Sequence, residues 1–187
     1  MPKLEWDLTG EHLYETGVRQ GVLYPYVKGQ NEQTSGYLAG VAWNGLTAVT
    51  ESPSGADESP LYADDIKYLT LMSAETLSYT IECLYYPDEF AECNGTKEEV
   101  PGVILGQQPR KPFGFAWRTI LGNDTKGDQY GYKLHIVYNS KCSPSEEAYQ
   151  TVNESPETKT MSFEANATSV KVDEDRNCCS IDIDSTK

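Results

Sequence analysis

The sequence predicts a mostly β protein: an antiparallel β-sandwich or partial barrel with one or two short helices. Three observations predict it. Apolar and polar residues alternate with period 2 in several runs. Turn chemistry separates those runs at short intervals, at Asn44-Gly45, Pro87, Asn94-Gly95 and Gly122 to Gly131. Thirteen tyrosines among 187 residues supply side chains that suit a pleated, half-buried surface.

The strongest runs lie in residues 62–93. Ile66 to Met72 and Thr76 to Tyr86 both read as strands, and the three residues between them, Ser73 to Glu75, suit a hairpin loop. The expectation is one long hairpin. Leu77, Tyr79, Ile81, Cys83 and Tyr85 fall on its dry face, and Ser78, Thr80 and Glu82 on its wet face. Pro87 stops the second strand, and Asp88 is placed to cap a short helical turn ending at Asn94-Gly95.

Before this hairpin, residues 1–20 are polar with scattered apolar side chains and read as an arm that lies along another surface. Gly21 to Tyr26 reads as a short strand, with Pro25 at an edge or bulge. Gly29 to Gly36 is a polar loop. Asn44-Gly45 signals a hairpin between Val41–Trp43 and Leu46–Ala48, and Glu51 to Pro60 reads as an acidic loop. After it come a loop-rich stretch with one strand at Val103–Leu105, then two strands forming a second hairpin. The first, Phe113 to Leu121, has Phe113, Phe115 and Trp117 on one face. The second, Tyr132 to Tyr138, sets Tyr132, Leu134, Ile136 and Tyr138 against Lys133, His135 and Val137. Pro144 to Tyr149 has the composition of one helical turn. Thr158 to Thr168 alternates with Met161, Phe163 and Ala165 inward, and Ser180 to Asp184 is a last short strand. The whole, 1–187, reads as a single domain.

Lys plus Arg total 15 and Asp plus Glu total 29, a net charge of −14. Polyanion affinity comes mostly from cations and counterion release, so this balance argues against a nucleic-acid-binding groove. The five cysteines form no CxxC pair and no Cys/His spacing suited to a metal. Cys178-Cys179 reads as two free thiols. MPKLEWDLTG has no apolar signal core and no run is long enough to span a bilayer, so the reading is synthesis in a reducing cytoplasm. No GxSxG, Walker loop, GxGxxG or HExxH is present. His12 and His135 stand alone, His135 on what reads as a polar strand face, and Asp173 to Asp175 lacks the spacing of a calcium loop. No enzyme activity, metal or cofactor is expected.

Several stretches, in order, resemble the major tail proteins of long-tailed bacteriophages, the subunits of the tail tube. They are EWDLTGEHLYETGV, GVLYP, GVAWNGLTAVTESPSGA, LYAD, YPDEFAEC, GQQPRKPFG and GNDTKGDQYGYKLH. The likeness covers roughly 4–165; residues 169–187 share little with the family beyond DIDSTK. The resemblance implies a structural virion protein made in the bacterial host cytoplasm. Six copies form a ring, and rings stack into a tube around the tape measure protein, bounded by tail tip and tail terminator proteins. DNA passes through transiently and non-specifically, without direct membrane insertion. It also implies that hairpin strands of adjacent subunits join into a lumen barrel. On that expectation Tyr79 and Ile81 anchor the long hairpin in the core, Ser78, Thr80 and Glu82 face the lumen, and Trp6, Leu13 and Tyr14 dock on a neighbour. The alternative is a monomeric β-sandwich binding or decoration module, since exposed Trp and Tyr also suit a sugar-binding face.

Overall fold

In a computed structural model, residues 4, 6–29, 35–55, 57–149, 151, 158–173 and 176–187 are described. The polar stretch 30–34 and Glu174 and Asp175 of the carboxylate run lie outside them. The strands in chain order are β1 (Leu13–Val27), β2 (Gly36–Tyr37), β3 (Val41–Trp43), β4 (Leu46–Ser54), β5 (Glu58–Ala63), β6 (Ile66–Met72), β7 (Thr76–Cys83), β8 (Lys97–Val100), β9 (Val103–Leu105), β10 (Phe113–Asn123), β11 (Gly127–Cys142), β12 (Met161–Ala167), β13 (Val170–Asp173), β14 (Arg176–Cys178) and β15 (Ser180–Asp184). The protein is mostly β and sandwich-like, as its alternation predicts, with antiparallel sheets and, among the described residues, no closed barrel.

Nine strands form one sheet in the order β2-β1-β10-β11-β12-β7-β4, with β15 added to β11 and β3 to β1. The sheet folds on itself at the end of β11. Lys133–Val137 of β11 pair with β15, whereas Ser140–Cys142 pair with β12. Two layers result, β1/β10/β11/β15 and β4/β7/β12, and aromatic side chains fill the space between them. Trp43 lies 4.5 Å from Phe90 and 5.3 Å from Phe115, centroid to centroid, and Tyr79 stacks on Phe115 at 6.3 Å. The Trp43 indole N–H donates to the Tyr85 carbonyl at 2.9 Å, so the buried ring leaves no donor unpaired. A 3-10 turn, Asp88–Phe90, swings Phe90 into this cluster, where it also meets Phe113 and Phe163. Burial pushes the Cys93 and Cys142 thiols up to about 12, so both stay protonated and inert near neutral pH.

Tyr79 and Ile81 are fully buried, as their position on the dry face requires. The long hairpin itself is not formed. β7 is a central strand, paired along its length to β12 on one side and β4 on the other, and β6 turns back to pair with β5. The loop Ser73–Glu75 joins two different sheets, because β4 and β12 take both edges of β7, its apolar face packs on β10, and the short loop need not close a ladder. With both edges occupied, β7 has no backbone left to pair with another subunit. The expected acidic loop from Glu51 is instead strand: β4 runs to Ser54 and β5 begins at Glu58, both against partners that override the weak strand propensity of Pro and Glu.

Other elements depart similarly. Asn44-Gly45 is a corner rather than a hairpin turn: β3 pairs with β1, β4 with β7, and Gly45 takes φ 79° to let the chain change partners. Val103–Leu105 has a partner strand, β8. Pro144–Tyr149 is irregular, since three consecutive polar residues, Ser145 to Glu147, have no apolar face to pack as a helix. Residues 13–20 of the expected arm belong to β1, held to β10 from Leu13↔Asn123 to Arg19↔Arg118.

The hydroxyls of Tyr79 and Ser140 are both buried without a hydrogen-bond partner of good geometry. Tyr79→Phe removes an unsatisfied polar atom, so its urea-unfolding free energy should stay within about 1 kcal/mol of wild type, or rise. Phe90→Ala, which empties the aromatic cluster, should cost about 3–5 kcal/mol in the same measurement.

Candidate assembly surfaces

Antiparallel neighbours in register place their side chains on the same face, so each layer can be read row by row. On the outer side of β4/β7/β12 the rows are Ala48–Glu82–Ser162, Thr50–Thr80–Glu164 and Ser52–Ser78–Asn166. Small hydroxyl and amide side chains fill this face. Ser78 Oγ donates to Asn166 Oδ1 at 2.6 Å. Glu82 makes no ion pair among the described residues; Lys67, which a hairpin of Ile66–Met72 with Thr76–Tyr86 would have brought near it, belongs to the β5–β6 hairpin. Lys141, opposite Asn166, stands at the margin. Ser78, Thr80 and Glu82 are therefore together on one wet, acid-leaning face, although not on a hairpin.

The outer side of β1/β10/β11/β15 is its opposite. One row is Val22–Ala116–Ile136–Ile181 and the next Arg19–Arg118–Leu134–Ile183. Neither row holds a carboxylate, and Ile181 and Ile183 are about half exposed. Tyr132, Leu134, Ile136 and Tyr138 thus face outward, and His135 and Val137 inward, the reverse of the orientation that polarity predicts. The error has a physical source. β11 is apolar on both sides, so alternation alone does not say which side is core.

His135 is buried, stacked on Trp117 at 5.1 Å. Its Nδ1 lies 2.8 Å from Asp182 Oδ1, and its Nε2 3.1 Å from both Glu15 Oε1 and Thr119 Oγ1. A hydroxyl, an imidazole and a carboxylate in line resemble a nucleophile relay. Here the Thr119 hydroxyl donates to Glu15 at 2.6 Å rather than to the imidazole. The cluster is a polar plug at the wet end of the core. Burial pushes the Glu15 carboxyl up, but hydrogen bonds from Lys133, Thr119 and His135 outweigh it and hold it below its ordinary value. No sequence signal marked this site, because its members come from four strands, β1, β10, β11 and β15, and partners such as His135 and Glu15 stand 120 positions apart. Among the described residues no group of three or more His, Cys, Asp or Glu is arranged to hold a metal ion, and no helix is long and apolar enough to cross a membrane.

The third surface is the β5–β6 hairpin. Opposed residues put Leu61, Leu69 and Leu71 on one face and Pro60, Ile66, Tyr68 and Met72 on the other. Both faces are largely apolar and open, with Lys67 on the first and Glu58 and Thr70 on the second: Ile66 is 64% exposed, Tyr68 70% and Met72 67%. At its tip Asp64 and Asp65 both take positive φ, 51° and 65°, the backbone of a tight two-residue hairpin turn. The N-terminal segment is pinned through Asp124, whose carboxylate accepts from Gly10 N at 2.9 Å and meets His12 Nδ1 at 3.2 Å. Beyond that pin Trp6 is exposed, and Leu13 and Tyr14, though strand residues, remain open; Tyr14 lies across Gly122 and donates to Asp128.

No known protein family matches the sequence, and no curated protein matches it either.

The folded state favours the Glu15 carboxylate, so its contribution is present above the ordinary carboxylate pKa of 4.5 and is lost as pH falls through the lower folded value. Glu15→Gln should therefore melt below wild type at pH 7, and the gap should narrow steadily as pH is lowered beneath 4.5 in thermal scans. A gap independent of pH would place the effect in packing instead.

Proposed function

We propose that this chain is a self-assembling structural subunit, the tube protein of a long-tailed phage tail, located in the virion. One observation carries the reading: the two outer faces of a single sandwich have opposite characters. One is wet, rich in Ser and Thr and acidic; the other is apolar with no carboxylate in its two central rows, and a largely apolar two-sided hairpin stands apart from both. Large contiguous exposed apolar surface in a charged chain marks an interaction site. Interface cores are depleted in charge and enriched in aromatic residues, as the dry face and the hairpin are.

In a closed ring the dry face and hairpin are buried between copies, and the wet face is left for a water-filled lumen. Six copies per ring and stacking around the tape measure protein follow from the family resemblance, as do end contacts with tail tip and terminator proteins. Ser78, Thr80 and Glu82 then repeat around a confined channel. Carboxylates of one sign in a cleft with low-dielectric walls reinforce one another and keep passing DNA from adhering. Subunit joining proceeds through the β5–β6 hairpin rather than through β7, whose edges are occupied. Trp6, Leu13 and Tyr14 remain the arm residues best placed to meet a neighbour.

Negative-stain electron microscopy of the purified chain should show rings or tubes; uniform small particles at all concentrations would favour the monomeric binding module. Glu82→Lys should leave tubes intact and slow DNA ejection, more at low salt than at high salt. Ejection unchanged at low ionic strength, in virions carrying the substitution, would remove Glu82 from the channel wall.

A further inference from the structure

The dry outer face carries two cations side by side. Arg19 and Arg118 are register partners, so their guanidinium groups share a face, an arrangement that is unfavourable for the isolated chain. Arg118 donates to Gln20 Oε1 at 3.2 Å and lies 4.0 Å from the centroid of the Tyr132 ring. Neither arginine has a carboxylate partner among the described residues, in a chain with 29 acidic side chains. The hairpin tip presents the complement: Asp64 and Asp65 are adjacent, exposed and without an ion-pair partner among the same residues. They stand at the end of strands six and seven residues long, an extension of about 20 Å at roughly 3.3 Å per residue. The apolar flanks of that hairpin match the apolar rows around the arginines.

We propose that the β5–β6 hairpin of one copy lies across the β10–β11–β15 face of the next, with Asp64 and Asp65 seated on Arg19 and Arg118. This rests on the reading of the chain as a self-assembling subunit and names its contact. The occupant is a second copy, because the same chain supplies the apolar ribbon and the two carboxylates that the face lacks. The contact is head-to-tail: hairpin and face are different surfaces, so each copy gives one and receives one, and the copies form a ring where the rotation between neighbours closes. The arginines also set register. A hairpin displaced along the face leaves two desolvated cations and two carboxylates unpaired, which penalises wrong alignments.

Charge reversal tests it. Asp64→Lys/Asp65→Lys and Arg19→Glu/Arg118→Glu should each fold like wild type by circular dichroism. In sedimentation velocity each should need on the order of tenfold more protein, or above, to assemble, because like charges then meet across the contact. An equimolar mixture of the two should assemble again, since every tip then finds a face of opposite sign. Should a reversal impair folding, Asp64→Asn/Asp65→Asn and Arg118→Gln serve instead; each should weaken assembly and flatten its salt dependence. Wild-type assembly combined with variants that assemble equally well, or with a mixture no better than its parts, overturns the contact while leaving self-assembly standing. A wild-type chain that stays monomeric overturns both.

Discussion

The alternation of side chains along a strand is the constraint on which this structure depends. A residue turned inward commits its neighbours outward, so the composition of each strand decides what both faces of the sandwich become. β7 resolves this in the ordinary way, with Leu77, Tyr79, Ile81 and Cys83 inside and Ser78, Thr80 and Glu82 outside. β11 does not: its inward side is closed by Val137 and His135, and its outward side still carries Leu134 and Ile136. A sheet apolar on both faces is one built to be covered on both. The β5–β6 hairpin follows the same rule further, since two strands with two apolar faces and no sheet beneath them are marginal alone.

These features divide the molecule by charge as well as by polarity. The acidic excess does not spread evenly; the β1/β10/β11/β15 rows exclude it and keep two arginines instead. Repulsion among like-charged copies is thereby held away from the surfaces proposed to meet, while Glu82 and Glu164 stand on the wet face. The same partition accounts for the polar plug around His135. At the open end of the core the aromatic stack runs out at Trp117, and buried polar groups there must find partners in Glu15, Asp182 and Thr119.

Much of the fold was legible because the relevant signals are local. Phe113 to Trp117, Met161 to Ala165 and Leu77 to Cys83 alternate cleanly, and each is a strand with the expected face inward. Pairing was not legible, because strand partners are chosen by long-range burial. Ile66–Met72 and Thr76–Tyr86 are joined by a hairpin-length loop, yet β7 loses no stability by rejecting β6 when β4 and β12 cover both its edges. Asn44-Gly45 misled for a related reason: a glycine with positive φ serves a corner as well as a turn. Of the expected surface residues, Ser78, Thr80 and Glu82 do share one wet face, found by periodicity. The two-sided hairpin and the Arg19–Arg118 pair were invisible until register put residues nearly 100 positions apart side by side.

Amide hydrogen exchange across a concentration series tests the central claim, that this chain completes its structure by covering its dry surfaces with other copies. In dilute monomer the amides of β5 and β6 should exchange quickly, as an isolated hairpin frays. At assembling concentrations β6 (Ile66–Met72) and β15 (Ser180–Asp184) should gain protection together, while β7, already central, changes little. Protection of β6 and β15 that does not depend on concentration, or an assembled form in which both still exchange quickly, would contradict the account.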